Sequence, residues 1–270
     1  MRVLISADME GATGVTGSAD VEPGQPAYER FRKLLTADAN AAIEGAFDAG
    51  ATSVVVNEAH DGMRNILIED LDERAEMISG LYKPLVMMEG VQACDLVFFV
   101  GYHARAGEAG VLAHTLCGAF TSVELNGEPA SEARLGATMA GVYGVPVGLV
   151  TGDDIICAEV EKQFPSVKTA VVKYAIDTFS ARCLGPKAAS QRIRAAARQA
   201  VEEYDKLEPY RVEPPFAIRL TLRNAAQAGT AATLPGVSRE GPVTVSFTSD
   251  NFLDVSALTE AIGTIAGTVC

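Results

Sequence analysis

Apolar runs that fit buried β-strands alternate with helical segments along the first two thirds of the chain. The run Leu96–Val100 (LVFFV) has no polar residue on either face, which is typical of a central strand in a parallel sheet. Ser53–Asn57 and Val147–Thr151 are similar short runs, and Ala27–Ala49 has apolar side chains at helical spacing. This alternation predicts an α/β fold of three layers, in which helices cover both faces of a mostly parallel sheet.

The pattern changes near Ser180–Lys187 (SARCLGPK), where strand and helix stop alternating. A helical segment over Lys187–Leu207 follows, then two alternating runs, Phe216–Leu222 and Val243–Phe247, and a final helix from about Leu253. A chain of 270 residues is near the upper limit for one hydrophobic core. We therefore expect an α/β domain over residues 1–185 and a smaller α+β C-terminal section over residues 186–270 that packs on it.

Three further elements are predicted within the first part of the chain. Leu85–Ala93 fits a short helix, and Glu132–Tyr143 fits a longer one that ends at Gly144. Thr121–Leu125 alternates between apolar and polar residues and leads into Asn126-Gly127, which is the strongest two-residue signal for a β-hairpin. These elements are expected to belong to the α/β domain.

Charge and composition exclude several classes of partner. The formal net charge is −13, which argues against nucleic acid or an anionic membrane as the binding partner. Apolar runs are all much shorter than the roughly 20 residues of a membrane span, and the first run is too short for a signal-peptide core. The five cysteines are isolated, which predicts reduced thiols in a cytoplasmic protein; they are Cys94, Cys117, Cys157, Cys183 and Cys270.

Histidines and acids follow several predicted strands at the point where each strand ends. Asp8 and Glu10 come directly after the first strand, and His60 and His103 each lie three residues beyond a later one. The carboxyl ends of parallel strands meet at one edge of a sheet, where α/β proteins place their sites. Imidazoles and carboxylates together predict a hydrolytic metal site. The alternative is a solvated strand end for the acids and structural roles for the histidines.

Four other residues have two interpretations each. His114, in the segment AHTLCG, is either a further metal ligand or an acid–base group beside the metal. Glu132 begins a predicted helix after Ser131, so the local pattern favours a first-turn glutamate beside an N-cap. Asp153 and Asp154 are either another N-cap and first-turn acid or part of the site.

Motifs in a fixed order along the chain are shared with a known family. They are SADMEG (6–11), VNEAHDGMRN (56–65), GYHARAG (101–107), AHT (113–115), SEARLG (131–136), VPVGLVTGDD (145–154) and VKYAI (172–176). Several spaced motifs in the same order are more specific than any one of them. With these motifs the chain resembles the zinc-dependent D-aminopeptidases associated with bacterial dipeptide-transport operons. The resemblance extends from Met1 to at least Lys187 and more weakly to Cys270.

The resemblance implies a metal cluster and a catalytic histidine. It implies two zinc ions per subunit, with manganese or another divalent ion as the alternative, and it gives His114 the catalytic role. Among the ligands, Asp8 is the natural bridge between the ions, and Glu132 becomes a ligand in addition to its place in the first helical turn. The implied ligands are Asp8, Glu10, His60, His103 and Glu132.

The resemblance also implies an activity and an assembly. The activity is hydrolysis of short peptides or amides with an N-terminal D-residue, such as D-Ala-D-Ala, by metal-activated water with the help of His114. The assembly is a homo-oligomer, in the family a ring-shaped decamer. Lys173 and Arg105 are candidates for binding the substrate carboxylate, because both lie near predicted strand ends.

Two other functions remain open at this point. One is a dinuclear metal hydrolase for another amide or an ester. A phosphate ester site would also need clustered arginines or a glycine-rich loop, and the sequence has neither. The other is an accessory to transport that binds a peptide or metal without turnover, which would not require His114.

Overall fold

The computed structural model describes residues 1–269 and contains two β-sheets flanked by helices. The helices are α1 (Ser18–Val21), α2 (Tyr28–Asp48), α3 (Glu132–Val142), α4 (Asp154–Gln163), α5 (Pro186–Glu202), α6 (Ala225–Ala231) and α7 (Phe252–Gly267). The strands are β1 (Arg2–Ala7), β2 (Ser53–Glu58), β3 (Ala75–Ile78), β4 (Leu96–Tyr102), β5 (Phe120–Leu125), β6 (Glu128–Pro129), β7 (Val147–Asp153), β8 (Lys168–Asp177), β9 (Ser180–Cys183), β10 (Phe216–Leu222), β11 (Ser238–Arg239) and β12 (Thr244–Ser249).

The larger sheet has seven strands in the order β3-β2-β1-β4-β7-β8-β9. All neighbouring pairs are parallel except β8 and β9, which pair antiparallel at one edge. Strand β1 lies between β2 and β4, so the carboxyl ends of these three strands are adjacent. The predicted mostly parallel α/β fold is confirmed.

Helices cover both faces of this sheet, as predicted. Helices α2 and α5 pack against each other and on one face, while α3 and α4 lie on the other. In β4 the side chain of Phe98 belongs to the core beneath α2 and α5, and that of Phe99 belongs to the opposite core. Both rings are fully buried, and each contributes about 1.5–3 kcal/mol to stability by leaving water.

The smaller sheet is antiparallel, with the order β11-β12-β10-β5-β6, and packs with α6 and α7. This sheet includes the hairpin of β5 and β6, which comes from the first part of the chain. Strand β5 pairs with β10, and its residues Val123 and Leu125 are buried. Conversely, α5 packs on α2 and the larger sheet. The sheets are therefore not divided at residue 185, and the interpretation of 1–185 and 186–270 as separate domains stays a prediction.

Local differences from the predicted elements have simple causes. The predicted helix over Leu85–Ala93 is two short 3₁₀ turns, Val86–Met88 and Val91–Ala93, because Gly90 between them has a left-handed φ of 95°. Ser180–Cys183 within the predicted boundary forms β9 instead. The hairpin prediction is confirmed, since Asn126 and Gly127 between β5 and β6 both have positive φ.

The sequence predicts no membrane span and isolated, reduced cysteines. Among residues 1–269, no helix has the length and apolar character that a membrane span requires. The four cysteines within that range all have free thiols; they are Cys94, Cys117, Cys157 and Cys183. Cys270, the fifth, lies outside the described residues.

Candidate active site

The loops that follow β1, β2 and β4 bring four of the predicted ligands together. Asp8 and Glu10 follow β1, His60 follows β2, and His103 follows β4, so all four lie at the carboxyl edge of the sheet. Glu132 reaches the same place from the first turn of α3. All five side chains are buried.

Two glycines allow the loop after β1 to lie against the end of β4. A Cβ atom at Gly11 would clash with the backbone oxygen of Tyr102, and one at Gly101 would clash with that of Asp8. Gly101 also has a φ of +75°, a conformation that other residues rarely adopt. This close backbone approach sets Asp8 beside His103.

The carboxylate of Asp8 lies between two groups of ligand atoms. Its Oδ1 is 3.4 Å from Nδ1 of His60, and that nitrogen is 2.9 Å from Oε2 of Glu10. Its Oδ2 is 3.4 Å from Nε2 of His103, which is 3.3 Å from Oε1 of Glu132. The five side chains thus form two sets of three that share Asp8.

Three of these atoms are buried and have no hydrogen-bond partner in the described part of the chain. They are Oδ2 of Asp8, Oε2 of Glu10 and Nε2 of His103. A buried polar atom without a partner costs a few kcal/mol, and a buried charge costs more. Because lone pairs face one another here, a divalent cation fits the arrangement and removes the cost.

Each of the three histidines is oriented by a backbone carbonyl. Nε2–H of His60 donates to the oxygen of Val21, and Nδ1–H of His103 donates to that of Ala104. Nδ1–H of His114 donates to the oxygen of Leu112. In this tautomer the other ring nitrogen of each histidine presents its lone pair to the acids, as metal-binding histidines do.

The negative charges of the acids raise the pKa values of neighbouring groups in the cluster. Burial, together with the nearby charge of Glu10, raises the pKa of Asp8 to about 7. Burial alone would lower the pKa of His103, but the carboxylates of Glu132 and Asp8 raise it to about 10. The cluster therefore favours positive charge at its centre, supplied either by protons or by a bound cation.

His114 differs from the other two histidines in its exposure. Its side chain is 27% exposed, against 8% for His60 and 1% for His103. Its ring stacks on that of His103 with centroids 4.2 Å apart, and its Nε2 is 3.8 Å from Oε1 of both Glu10 and Glu132. It is therefore the histidine that a molecule entering the site can reach.

Ser131 and Asp153 of the predicted motifs cap the helices that follow them. Ser131 is the N-cap of α3, while the adjacent Glu132 accepts a hydrogen bond from the amide of Leu116. Asp153 caps α4 and also accepts from the amide of Val111, which anchors the loop that precedes His114. The capping interpretation of Asp153 is correct.

The structure contradicts the prediction that Lys173 binds the substrate carboxylate, and it places Arg105 outside the cavity that contains the cluster. Lys173 is fully buried, and its ammonium donates to the backbone oxygens of Glu10, Ala12 and Val15. All three donor hydrogens are used, so none is left for a substrate. Arg105 pairs with Glu108 at 2.7 Å and lines a different cavity from the histidines.

Lys173 instead holds the loop that carries Glu10. We expect Lys173→Met to weaken zinc binding by about 10–100-fold, as the loss of residues that orient metal ligands typically does. Competition with a zinc chelator measures this change. Lys168→Met, at the start of the same strand and paired with Glu203, is the matched control and should leave zinc affinity unchanged. Equal zinc affinity in the two variants would contradict this role.

The cavity in front of the cluster has an apolar wall that sequence patterns did not indicate. Leu81, Val86, Met87 and Leu116 form it, and Glu260 from α7 also lines the cavity. Neither Arg nor Lys is among its lining residues in the described chain. The only local signal for Glu260 is a charged residue within an otherwise mostly apolar helix.

Comparison with known proteins identifies the family to which this arrangement belongs. A family model described as D-aminopeptidase matches residues 1–261. The chain belongs to the D-aminopeptidase family. A D-aminopeptidase from Bacillus subtilis (strain 168) is 36% identical over 256 residues, which cover 94% of this chain and 93% of the relative.

A solved structure of this family has the same fold. It is that of the Zn-dependent D-aminopeptidase DppA from Bacillus subtilis, described as a self-compartmentalizing protease. The TM-score is 0.97 at 34% identity, and the similarity covers 100% of this chain and 99% of that one. This D-aminopeptidase family member therefore shares both sheets, including the smaller antiparallel one, with that solved structure.

Proposed function

We propose that this protein is a zinc-dependent aminopeptidase that hydrolyses short peptides or amides with an N-terminal D-residue, such as D-Ala-D-Ala. The observation that carries the proposal is the position of Asp8, whose two carboxylate oxygens face two separate sets of ligand atoms. Membership of the D-aminopeptidase family supports the substrate class.

Two zinc ions per subunit fit the two sets of ligands. The first set is Asp8, Glu10 and His60, and the second is Asp8, His103 and Glu132. When bound, the two ions supply an activated water at neutral pH and polarise the scissile carbonyl. Mixed imidazole and carboxylate ligands suit zinc, with manganese as the alternative, and the related DppA is described as Zn-dependent.

His114 is the general acid–base group in this proposal. Its Nε2 has a free lone pair because Nδ1–H donates to the backbone oxygen of Leu112. It accepts a proton as water attacks the carbonyl carbon and donates one to the leaving amine. Nε2 lies 3.8 Å from a carboxylate oxygen of both Glu10 and Glu132, so the ring is beside the two sets of metal ligands.

The composition of the cavity favours a peptide over a phosphate ester. A phosphate ester carries negative charge, and phosphate sites usually provide arginine, lysine or clustered backbone amides. The described residues that line this cavity include five carboxylic acids and no arginine or lysine. A peptide amide with a positively charged amino terminus suits this environment better. A protein that only binds a peptide or metal, without turnover, would not need the partly exposed His114.

We also propose that the protein forms a homo-oligomer, with the ring-shaped decamer as the specific assembly. Exposed large apolar side chains are available for subunit contacts, and Leu81 and Tyr82 among them lie close to the cavity. The related DppA is described as self-compartmentalizing. A cytoplasmic location remains part of the proposal.

A panel of paired D- and L-substrates tests the proposed activity. We expect zinc-reconstituted protein to hydrolyse D-Ala-D-Ala and D-alanine amide at least about 100-fold faster, in kcat/KM, than their L-counterparts, a difference of about 2.7 kcal/mol in transition-state binding. Amine release measures the rates, and protein treated with EDTA is the control. Cleavage of the L-compounds alone, or of esters alone, would contradict the assignment.

A further inference from the structure

Glu260 is a carboxylate at the active site that belongs to neither set of metal ligands. It lies on α7 and lines the cavity together with His114 and Glu132. The other acids of the cluster lie within 4 Å of an imidazole. Within residues 1–269, the carboxylate of Glu260 has no hydrogen bond or ion pair to another side chain or to the backbone. It is therefore available to a ligand.

Glu260 stands at the boundary between two adjoining cavities. One contains the metal cluster, and the other is apolar and is lined by residues that include Leu135, Met139, Phe252 and Val255. The residues common to both cavities are Val86, Met87, Leu116, Glu132 and Glu260. A ligand that spans this boundary therefore meets the Glu260 carboxylate, the cluster residue Glu132 and an apolar surface.

The N-terminal residue of an aminopeptidase substrate presents the complementary groups around a single atom. Its Cα is bonded to the scissile carbonyl, the α-ammonium and the side chain. When the carbonyl lies at the metal cluster beside His114, the ammonium is only two bonds from the carbonyl carbon. An anion near that point binds the ammonium, while the apolar cavity accepts a small apolar side chain.

The charge of Glu260 suits a cationic ligand that is not a metal ion. An ammonium beside the carboxylate stabilises its ionised form, because opposite charges attract. A divalent ion requires several ligand atoms, and the groupings that can hold one do not include Glu260.

We propose that Glu260 binds the α-ammonium of the substrate and selects for peptides with a free amino terminus. This inference rests on the proposed peptidase function. The carboxylate accepts hydrogen bonds from the ammonium equally in the bound substrate and in the transition state, so it contributes to affinity rather than to the chemical step. A peptide with an acylated amino terminus has no positive charge for Glu260 and is excluded.

Kinetics of Glu260→Gln test this role. We expect KM for D-Ala-D-Ala to rise about 10–100-fold, the usual effect of losing a hydrogen bond to a charged group, while kcat changes less than about threefold. Glu260→Asp should restore part of the affinity. Asp254→Asn removes a charge from the exposed surface of the same helix and should behave as wild type. Zinc content should be equal in all variants.

A pair of inhibitors separates ammonium binding from a structural effect. D-alanine and D-lactate differ in having an amino or a hydroxyl group on Cα, and both are measured as inhibitors of D-alanine p-nitroanilide hydrolysis. We expect wild type to bind D-alanine more tightly and Glu260→Gln to lose most of that preference. If this variant does not fold, Glu260→Ala serves in its place.

Two outcomes distinguish the inference from the function on which it rests. A wild-type protein that cleaves D-alanyl substrates, with a Glu260→Gln variant that keeps the full preference for D-alanine, overturns the role of Glu260 alone. A wild-type protein that cleaves no D-alanyl substrate overturns the proposed function and this inference with it.

Discussion

Replacing His114 with alanine is expected to lower kcat by about 10²–10⁴-fold while the zinc content stays at the wild-type level. This range is typical for the loss of a general acid–base group. His114 is the most exposed of the three histidines, and its Nε2 lies farther from the acids than the ring nitrogens of His60 and His103 do. It is therefore able to exchange protons with substrate without being needed to hold the ions.

The measurement combines initial rates on D-Ala-D-Ala with the zinc content of the same sample. Added imidazole should restore part of the activity of His114→Ala, since the variant keeps the metal site and has space for a free imidazole. A variant with full activity and normal zinc would contradict the catalytic role. Loss of zinc would show that His114 is a ligand, because its Nε2 also lies close to atoms of Glu10 and His103.

Replacing Asp8 with asparagine is expected to reduce zinc binding in both sets of ligands at once. Asparagine keeps the size of the side chain but replaces one carboxylate oxygen with an NH₂ group, which cannot bind a cation. The other oxygen loses its charge. The ions supply several kcal/mol of transition-state stabilisation, so activity should fall by about 10³-fold or more. Zinc content and kcat/KM measure the two effects.

The matched control for this substitution is Asp95→Asn. Asp95 precedes β4 at the opposite edge of the same sheet and pairs with Arg2 at the surface. Its replacement removes one acidic charge without touching the cluster, so zinc content and activity should stay at wild-type levels. Loss of only one ion in Asp8→Asn, with the other bound normally, would contradict a shared Asp8 ligand.

Much of the fold and part of the site follow from periodicity and from the rule for strand ends. Apolar runs such as Leu96–Val100 are recognisable because a central strand is buried on both faces. Asp8 and His103 directly follow their strands and His60 lies two residues beyond its strand, so the parallel sheet brings all three to one edge. The sequence predicts the hairpin at Asn126-Gly127 but not the strand that pairs with it. Alternation of apolar and polar residues shows that one face of the hairpin is buried, but it does not identify the neighbouring strand.

The roles of Glu132, Lys173 and Glu260 do not follow from the rule for strand ends. Glu132 has a convincing local role at a helix start, and only the family resemblance indicated it as a ligand. Lys173 was misinterpreted because its position at a strand end does not reveal that backbone oxygens take all its hydrogens. Glu260 reaches the cavity from the last helix, where the packing of α7 near α3 decides its position.

Zinc stoichiometry tests the central claim, a two-ion cluster bridged by Asp8, most directly. Metal-free wild-type protein and Asp8→Asn are titrated with zinc while bound metal and hydrolysis of D-Ala-D-Ala are followed in the same samples. A cluster bridged by Asp8 predicts two tightly bound ions per wild-type chain, activity that is complete only when both are bound, and neither ion bound tightly in Asp8→Asn. Full wild-type activity with a single ion per chain would contradict it.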